Sequence, residues 1–168
     1  GEKDEAPMLF NGEVVGDGSG PECDVAVDPI DGTRLTAMGI NNALAVLAVA
    51  ERGTMFDPSA VFYMEKLVVG PAAAEFVDLR LPVKQNIQLI AKALGKKVSQ
   101  VTVTVLDRPR HEGLIREIRE AGARTRIFTD GDVACAVQAA SPDMAIDILV
   151  GRGGSPEGVV TAVAMKCL

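Results

Sequence analysis

After Pro82 the sequence settles into a repeating order: a β-branched or apolar run, a short polar loop, then a helix with one apolar face. It completes that order three times. A lead-in helix comes first, with Ile87, Ile90, Ala91 and Leu94 at i, i+3, i+4 and i+7 and Gly95 placed to end it. Strands are then expected at residues 101–106, 125–129 and 145–150. Helices are expected through Leu114, Ile115, Ile118 and Ala121 up to Gly122, over residues 133–140, and after Pro156. Strands joined by helical crossovers pack as right-handed βαβ units around a mainly parallel sheet. The expected fold class is therefore α/β.

In such a sheet the strand-to-helix loops all emerge at one edge, where ligands bind. Here those loops are Asp107-Arg-Pro-Arg-His111, Asp130-Gly-Asp132 and Gly151-Arg-Gly-Gly-Ser-Pro-Glu-Gly158. They bring arginines, aspartates and a glutamate to one rim. The last, with Pro156 opening a helix, also offers free backbone N–H groups to an anion. The plain structural alternative is that Asp130 and Ser155 simply cap helices.

The preceding half is less regular. Residues 1–21 are rich in Gly and acidic side chains and are expected to loop, with a short strand at 8–10. Gly16-Asp-Gly-Ser-Gly20 lacks the Lys-Ser/Thr that completes a Walker loop, so a surface turn is expected there. Further strands are expected at 24–28, 43–50, 63–69 and 75–79, the last two separated by the turn pair Gly70-Pro71. The organisation expected is one unit, 1–168, in which 1–81 hold the metal and phosphate motif and 82–168 supply substrate-binding loops. The chain starts at Gly1 rather than Met and stops inside a helical pattern without a cap, so both ends are expected to be cut.

At 48% apolar and 24% charged over 168 residues, the chain can bury a core, and intrinsic disorder is excluded. Its longest apolar run, residues 43–50, falls far short of the roughly 20 residues a bilayer crossing needs. A net charge of −6 opposes a nucleic-acid surface, which feeds on clustered Lys and Arg. A phosphate compound would have to be held by local arginines or a bound cation. Cys23, Cys135 and Cys167 form no CxxC pair and His111 is the only histidine. A disulfide scaffold and a His/Cys zinc site are both poor fits, and a reducing cytoplasm is expected.

The sharpest motif is Asp28-Pro-Ile-Asp-Gly-Thr33. Two carboxylates three residues apart, at a strand end followed by a glycine turn, can face one hard cation such as Mg2+ or Mn2+. Thr33 adds a hydroxyl beside it, and Gly32 lets the backbone approach a phosphate oxygen. The spacing is not that of an EF-hand.

This hexapeptide resembles the signature of the lithium-sensitive, magnesium-dependent sugar and inositol phosphatases. The longer agreement resembles class II fructose-1,6-bisphosphatase. It includes Gly1-Glu2-Lys-Asp-Glu-Ala-Pro-Met8, Asp28-Pro-Ile-Asp-Gly-Thr-Arg34, Tyr63-Met-Glu-Lys66, Arg108-Pro-Arg-His111, Asp130-Gly-Asp132 and Gly154-Ser-Pro-Glu-Gly158. The resemblance implies a layered α/β/α/β/α sandwich in the complete family and hydrolysis of the 1-phosphate of fructose 1,6-bisphosphate, a gluconeogenic step. It further implies Mg2+ or Mn2+ as cofactor, a homo-oligomer, and no nucleic-acid or membrane partner. Asp28, Asp31 and Glu157 match the metal carboxylates, and Asp31 and Thr33 the catalytic pair, Thr33 orienting the attacking water. Asp31, Gly32 and Thr33 match the scissile-phosphate site. Tyr63, Arg108, Pro109, Arg110, Asp130, Gly131, Asp132 and Gly154 match positions holding the sugar and its second phosphate, with Asp130 and Asp132 on sugar hydroxyls. Glu2 matches the second of two family glutamates. The first, a metal ligand, is missing, as are a further metal aspartate and the C-terminal portion. Two alternatives stay open: a non-catalytic sugar-phosphate-binding module, and a bisphosphatase that also accepts sedoheptulose 1,7-bisphosphate.

Overall fold

The structure is a computed structural model and describes residues 10–168. The expected strand at 8–10 begins outside the described residues, and the motif at residues 1–8, Glu2 included, lies outside them too. The elements are β1 Cys23–Asp31, α1 Thr33–Ala37, β2 Leu44–Glu51, β3 Tyr63–Val69, α2 Pro71–Ala74, α3 Val83–Ala93, β4 Thr102–Leu106, α4 Glu112–Glu120, β5 Arg124–Phe128, α5 Asp132–Ala140, β6 Ile148–Gly154 and α6 Ser155–Cys167.

A four-stranded sheet has the order β3-β6-β4-β5. Its members β6, β4 and β5 run parallel, and β3 is antiparallel to β6 at one edge. Alternation along the strands sorts their side chains onto two faces. Val103, Val105 and Ile148 point to the face covered by α3 and α4, against Ile87, Ile90, Ile115 and Ile118. Leu149, with Val68 and Phe128, meets Cys135, Ala136 and Ala139 of α5 on the other. A third cluster joins Val133 of α5 and Val160 of α6 to Ala48, Ala26 and Val46 on the antiparallel pair β1-β2. The layers thus run α3/α4, four-stranded sheet, α5/α6, β1-β2, an α/β architecture with helices between two sheets. The outer face of β1-β2, paired as Val25↔Val49 and Val27↔Leu47, is uncovered among the described residues, with Leu47 65% exposed.

Three local expectations are corrected. Residues 75–79 form no strand. The Gly70-Pro71 pair opens α2 with Pro at its first position, and the chain then turns. The backbone of Asp78 finds its partners in a buried side chain instead of a sheet. Asn86 Oδ1 accepts the Asp78 N–H at 3.0 Å, and Asn86 Nδ2 donates to the Asp78 carbonyl at 2.9 Å. The strand expected at 145–150 is displaced to Ile148–Gly154, so the Gly-rich stretch is no loop but the end of β6. It pairs with β3 through Tyr63↔Gly154 and passes straight into α6. Finally, the strand expected at 24–28 continues past Pro29 to Asp31, with a register irregularity between Asp28 and Asp31. Helix α1 carries one buried residue, Leu35, too few for periodicity to show.

Candidate functional site

Two glycine turns bring the ends of β1 and β5 together. Gly32 (φ 91°) precedes α1 and Gly131 (φ 79°) precedes α5, a backbone region that favours glycine. They also pack closely: a Cβ on Gly131 would lie 3.2 Å from Leu35 Cδ1 and 3.7 Å from Gly32 Cα. Each turn's carboxylate caps the other turn's helix. Asp31 Oδ2 accepts the Val133 N–H of α5 at 3.0 Å, and Asp130 Oδ2 accepts the Arg34 N–H of α1 at 3.1 Å. The capping alternative holds for Asp130, which caps a helix remote in sequence, and fails for Ser155, whose buried Oγ has no partner among the described residues. The residue at the start of α5 is Gly131, with no side-chain cap of its own.

This exchange buries Asp31, which is 5% exposed. Burial is the main cause that pushes its carboxyl up from 3.8 to about 7. The negative charges of Asp132, Asp28 and Glu157 push the same way, against the Val133 N–H. Asp28 is raised too, first by burial and further by Glu157 and Asp132, while the Ile30 N–H works against the rise. Glu157 sits in the first turn of α6, and its Oε2 is buried without a hydrogen-bond partner among the described residues. A Cβ on Gly154 would strike that carboxylate, so glycine there keeps its place open. Asp132 is answered by Lys66, whose Nζ lies 2.5 Å from its Oδ2.

Asp28, Asp31 and Glu157 thus feel one another across the gap between β1 and α6. Among the described residues, however, no three His, Cys, Asp or Glu side chains converge tightly enough to enclose a metal ion by themselves. The chemistry of the cluster still suits a hard divalent cation. An orphaned buried carboxylate oxygen and a carboxyl held protonated up to about 7 by burial and like charges are both relieved by positive charge. Thr33 opens α1 directly beside this cluster and is exposed.

The basic rim lies at the ends of β4 and β6. Arg108 is folded onto its surroundings, donating to the Asp107 and Thr129 carbonyls at 2.7 Å each and to Asp130 Oδ1 at 3.2 Å. Pro109 opens a 3-10 turn, Pro109–His111. Arg110 donates through Nε and Nη2 to the Arg152 carbonyl at 2.9 and 2.8 Å, and its guanidinium lies 5.1 Å from the Tyr63 ring centroid. Asp132 and Gly154, both assigned from the resemblance, stand at the starts of α5 and α6.

Two residues of the site escaped sequence reasoning. Lys66 closes the Tyr63–Lys66 motif without a role attached to it, and the pleat of the strand Tyr63–Val69 turns it inward. His111 closes the Arg108–His111 motif, yet nothing local announces its partners. Lys66, His111, Asp132 and Gly153 line one small pocket between the two halves of the site.

The sequence profile of the family described as "Bacterial fructose-1,6-bisphosphatase, glpX-encoded" matches residues 1–168. The chain is 51% identical over 168 residues to "Fructose-1,6-bisphosphatase 1 class 2" of Escherichia coli (strain K12). It is 51% identical over the same length to "Fructose-1,6-bisphosphatase class 2" of Shigella flexneri. Both alignments cover 100% of this chain and 50% of the relative, so the chain spans about half the length of the curated relatives it matches.

Proposed function

We propose, from the premise that this chain belongs to the bacterial class 2 fructose-1,6-bisphosphatase family, that the protein it forms part of hydrolyses the 1-phosphate of fructose 1,6-bisphosphate to fructose 6-phosphate and phosphate. Beyond the family, the observation that carries the reading is the buried Glu157 Oε2, without a hydrogen-bond partner among the described residues, on a side chain whose charge adds to the rise of Asp28 and Asp31. Asp28, Asp31 and Glu157 would hold Mg2+ or Mn2+, which supplies Lewis acidity to the phosphoryl oxygens when bound. Thr33 Oγ1, at the start of α1, holds and orients the attacking water. Gly32 gives the scissile phosphate room against the backbone. Arg110, braced on Tyr63, grips the remote phosphate through its guanidinium fork, and Asp130 and Asp132 face the sugar hydroxyls. Sedoheptulose 1,7-bisphosphate, with the same terminal phosphates, is the alternative substrate. A gluconeogenic role in the cytoplasm, where Cys23, Cys135 and Cys167 stay free thiols, goes with this reading. So does a homo-oligomer, supported by the outer face of β1-β2, which is uncovered among the described residues.

The test is phosphate release from fructose 1,6-bisphosphate with Mg2+ or Mn2+, comparing this chain with a version extended to the length of its relatives. The extended protein is expected to turn over; silence from it with both cations would refute the reading. For the chain alone, sugar-phosphate binding without turnover is the second reading, favoured because no three acidic groups converge among its described residues. Calorimetry with the bisphosphate separates the two.

Two variants of the extended protein probe the parts. Arg110→Ala is expected to raise KM about tenfold with kcat changed less than about threefold, as for an interaction felt equally before and at the transition state. A loss confined to kcat would contradict that role. Gly154→Ala, by pushing the Glu157 carboxylate aside, is expected to weaken Mn2+ binding about tenfold. The readout is the shift in thermal midpoint that Mn2+ produces, and an unchanged shift would count against Glu157 as a ligand.

A further inference from the structure

We propose that His111 is a positioning residue that fixes Arg110 for the remote phosphate, acting through the backbone of Arg152. This role deepens the functional reading above and rests on it. His111 is 3% exposed and ends the turn that follows β4. Its Nδ1 lies 2.7 Å from the Leu106 carbonyl and its Nε2 lies 2.8 Å from the Arg152 backbone nitrogen. A peptide N–H can only donate and a carbonyl can only accept, so Nε2 is the acceptor and Nδ1 carries the hydrogen. Both ring nitrogens are thereby used, and the ring ties the end of β4 to β6.

The tie continues outward. The carbonyl of the same Arg152 accepts both hydrogen bonds from Arg110. Of the five N–H donors on a guanidinium, these use two, on its inner edge. The other three have no partner among the described residues, and Arg110 is exposed over Tyr63. The closeness of β6 to the ring is part of the arrangement. Gly151 adopts φ 148°, and a Cβ there would lie 3.2 Å from His111 Cε1 and Nε2.

The experiment compares two substitutions in the extended protein. In His111→Asn the shorter amide can still donate to Leu106 but does not reach Arg152. In His111→Gln the amide oxygen can reach the Arg152 N–H. KM is measured for fructose 1,6-bisphosphate and for fructose 1-phosphate, the latter as substrate or competitive inhibitor, since it lacks the phosphate that Arg110 would hold. His111→Asn is expected to raise the ratio of the bisphosphate constant to the monophosphate constant about tenfold, and His111→Gln to keep it within about twofold of wild type. On an Arg110→Ala background, His111→Asn is expected to change the ratio no further. Equal losses towards both compounds, equal effects of both substitutions, or full additivity with Arg110→Ala would overturn the proposal. Wild-type protein without turnover of the bisphosphate would overturn the functional reading itself, and this role with it.

Discussion

Replacing Asp31 by Asn in the extended protein is expected to cut phosphate release about a thousandfold and, in the absence of divalent cations, to make the protein more stable at pH 8. The two effects have one origin. Asp31 is buried among Asp28, Asp132 and Glu157, and its carboxyl is raised from 3.8 to about 7. Between those values the folded chain keeps a proton that the unfolded chain has released. Stability of the cation-free wild type therefore falls as pH climbs from about 4 to about 7, by a loss on the order of 4 kcal/mol once complete. Asn cannot ionise, and its Oδ1 can still accept the Val133 N–H, so the variant escapes that fall. The activity loss follows because a neutral amide is a poor ligand for a hard cation, and several kcal/mol of phosphoryl activation go with the ligand. Urea midpoints at pH 5 and pH 8 in excess chelator should show the variant's advantage growing with pH. Adding Mn2+ should then reverse the order by stabilising only the wild type. A variant less stable than wild type at pH 8 without cations would contradict this linkage.

Lys66→Met is expected to have the largest purely structural effect, a loss of about 3–5 kcal/mol. Lys66 is 8% exposed, and its ammonium is 2.5 Å from Asp132 Oδ2. Without it, Asp132 becomes an unpaired carboxylate beside Asp31. Breaking one side of a buried pair costs more than removing both. Lys66→Met combined with Asp132→Leu should therefore recover most of the loss in urea unfolding. A cost below about 1 kcal/mol for Lys66→Met alone would mean the pair is solvent-screened.

What could be seen in the sequence was what depends on near neighbours. The helix through Ile87 and Ile90 and the run β4-α4-β5-α5 follow from apolar spacing and glycine stops, and the structure has them within a residue or two. The pairing of Asp28 and Asp31 was equally local. Where remote partners decide, reading along the chain misled. Residues 75–79 have strand-like composition, but Asp78 among them gives its backbone N–H and carbonyl to the buried Asn86. The stretch Gly151–Gly154 has loop composition, yet it is strand, because β3 pairs with it and Asp132, Lys66, His111 and Glu157 crowd the space where side chains would stand. The exchange of caps between Asp31 and Asp130 joins segments about a hundred residues apart in sequence. The partners of Lys66 and of His111 Nε2 stayed hidden for the same reason, since Asp132 and Arg152 lie far along the chain from them.

All of the chemistry proposed for this fold depends on Asp28 and Asp31, at the end of its first strand, sharing one divalent cation site with Glu157 at the start of α6. The decisive experiment is Mn2+ titration calorimetry of the extended protein, wild type against Glu157→Gln. The variant is expected to bind Mn2+ at least about tenfold more weakly, although the amide keeps the shape and the place of the carboxylate it replaces. Wild-type affinity in Glu157→Gln would contradict the shared site.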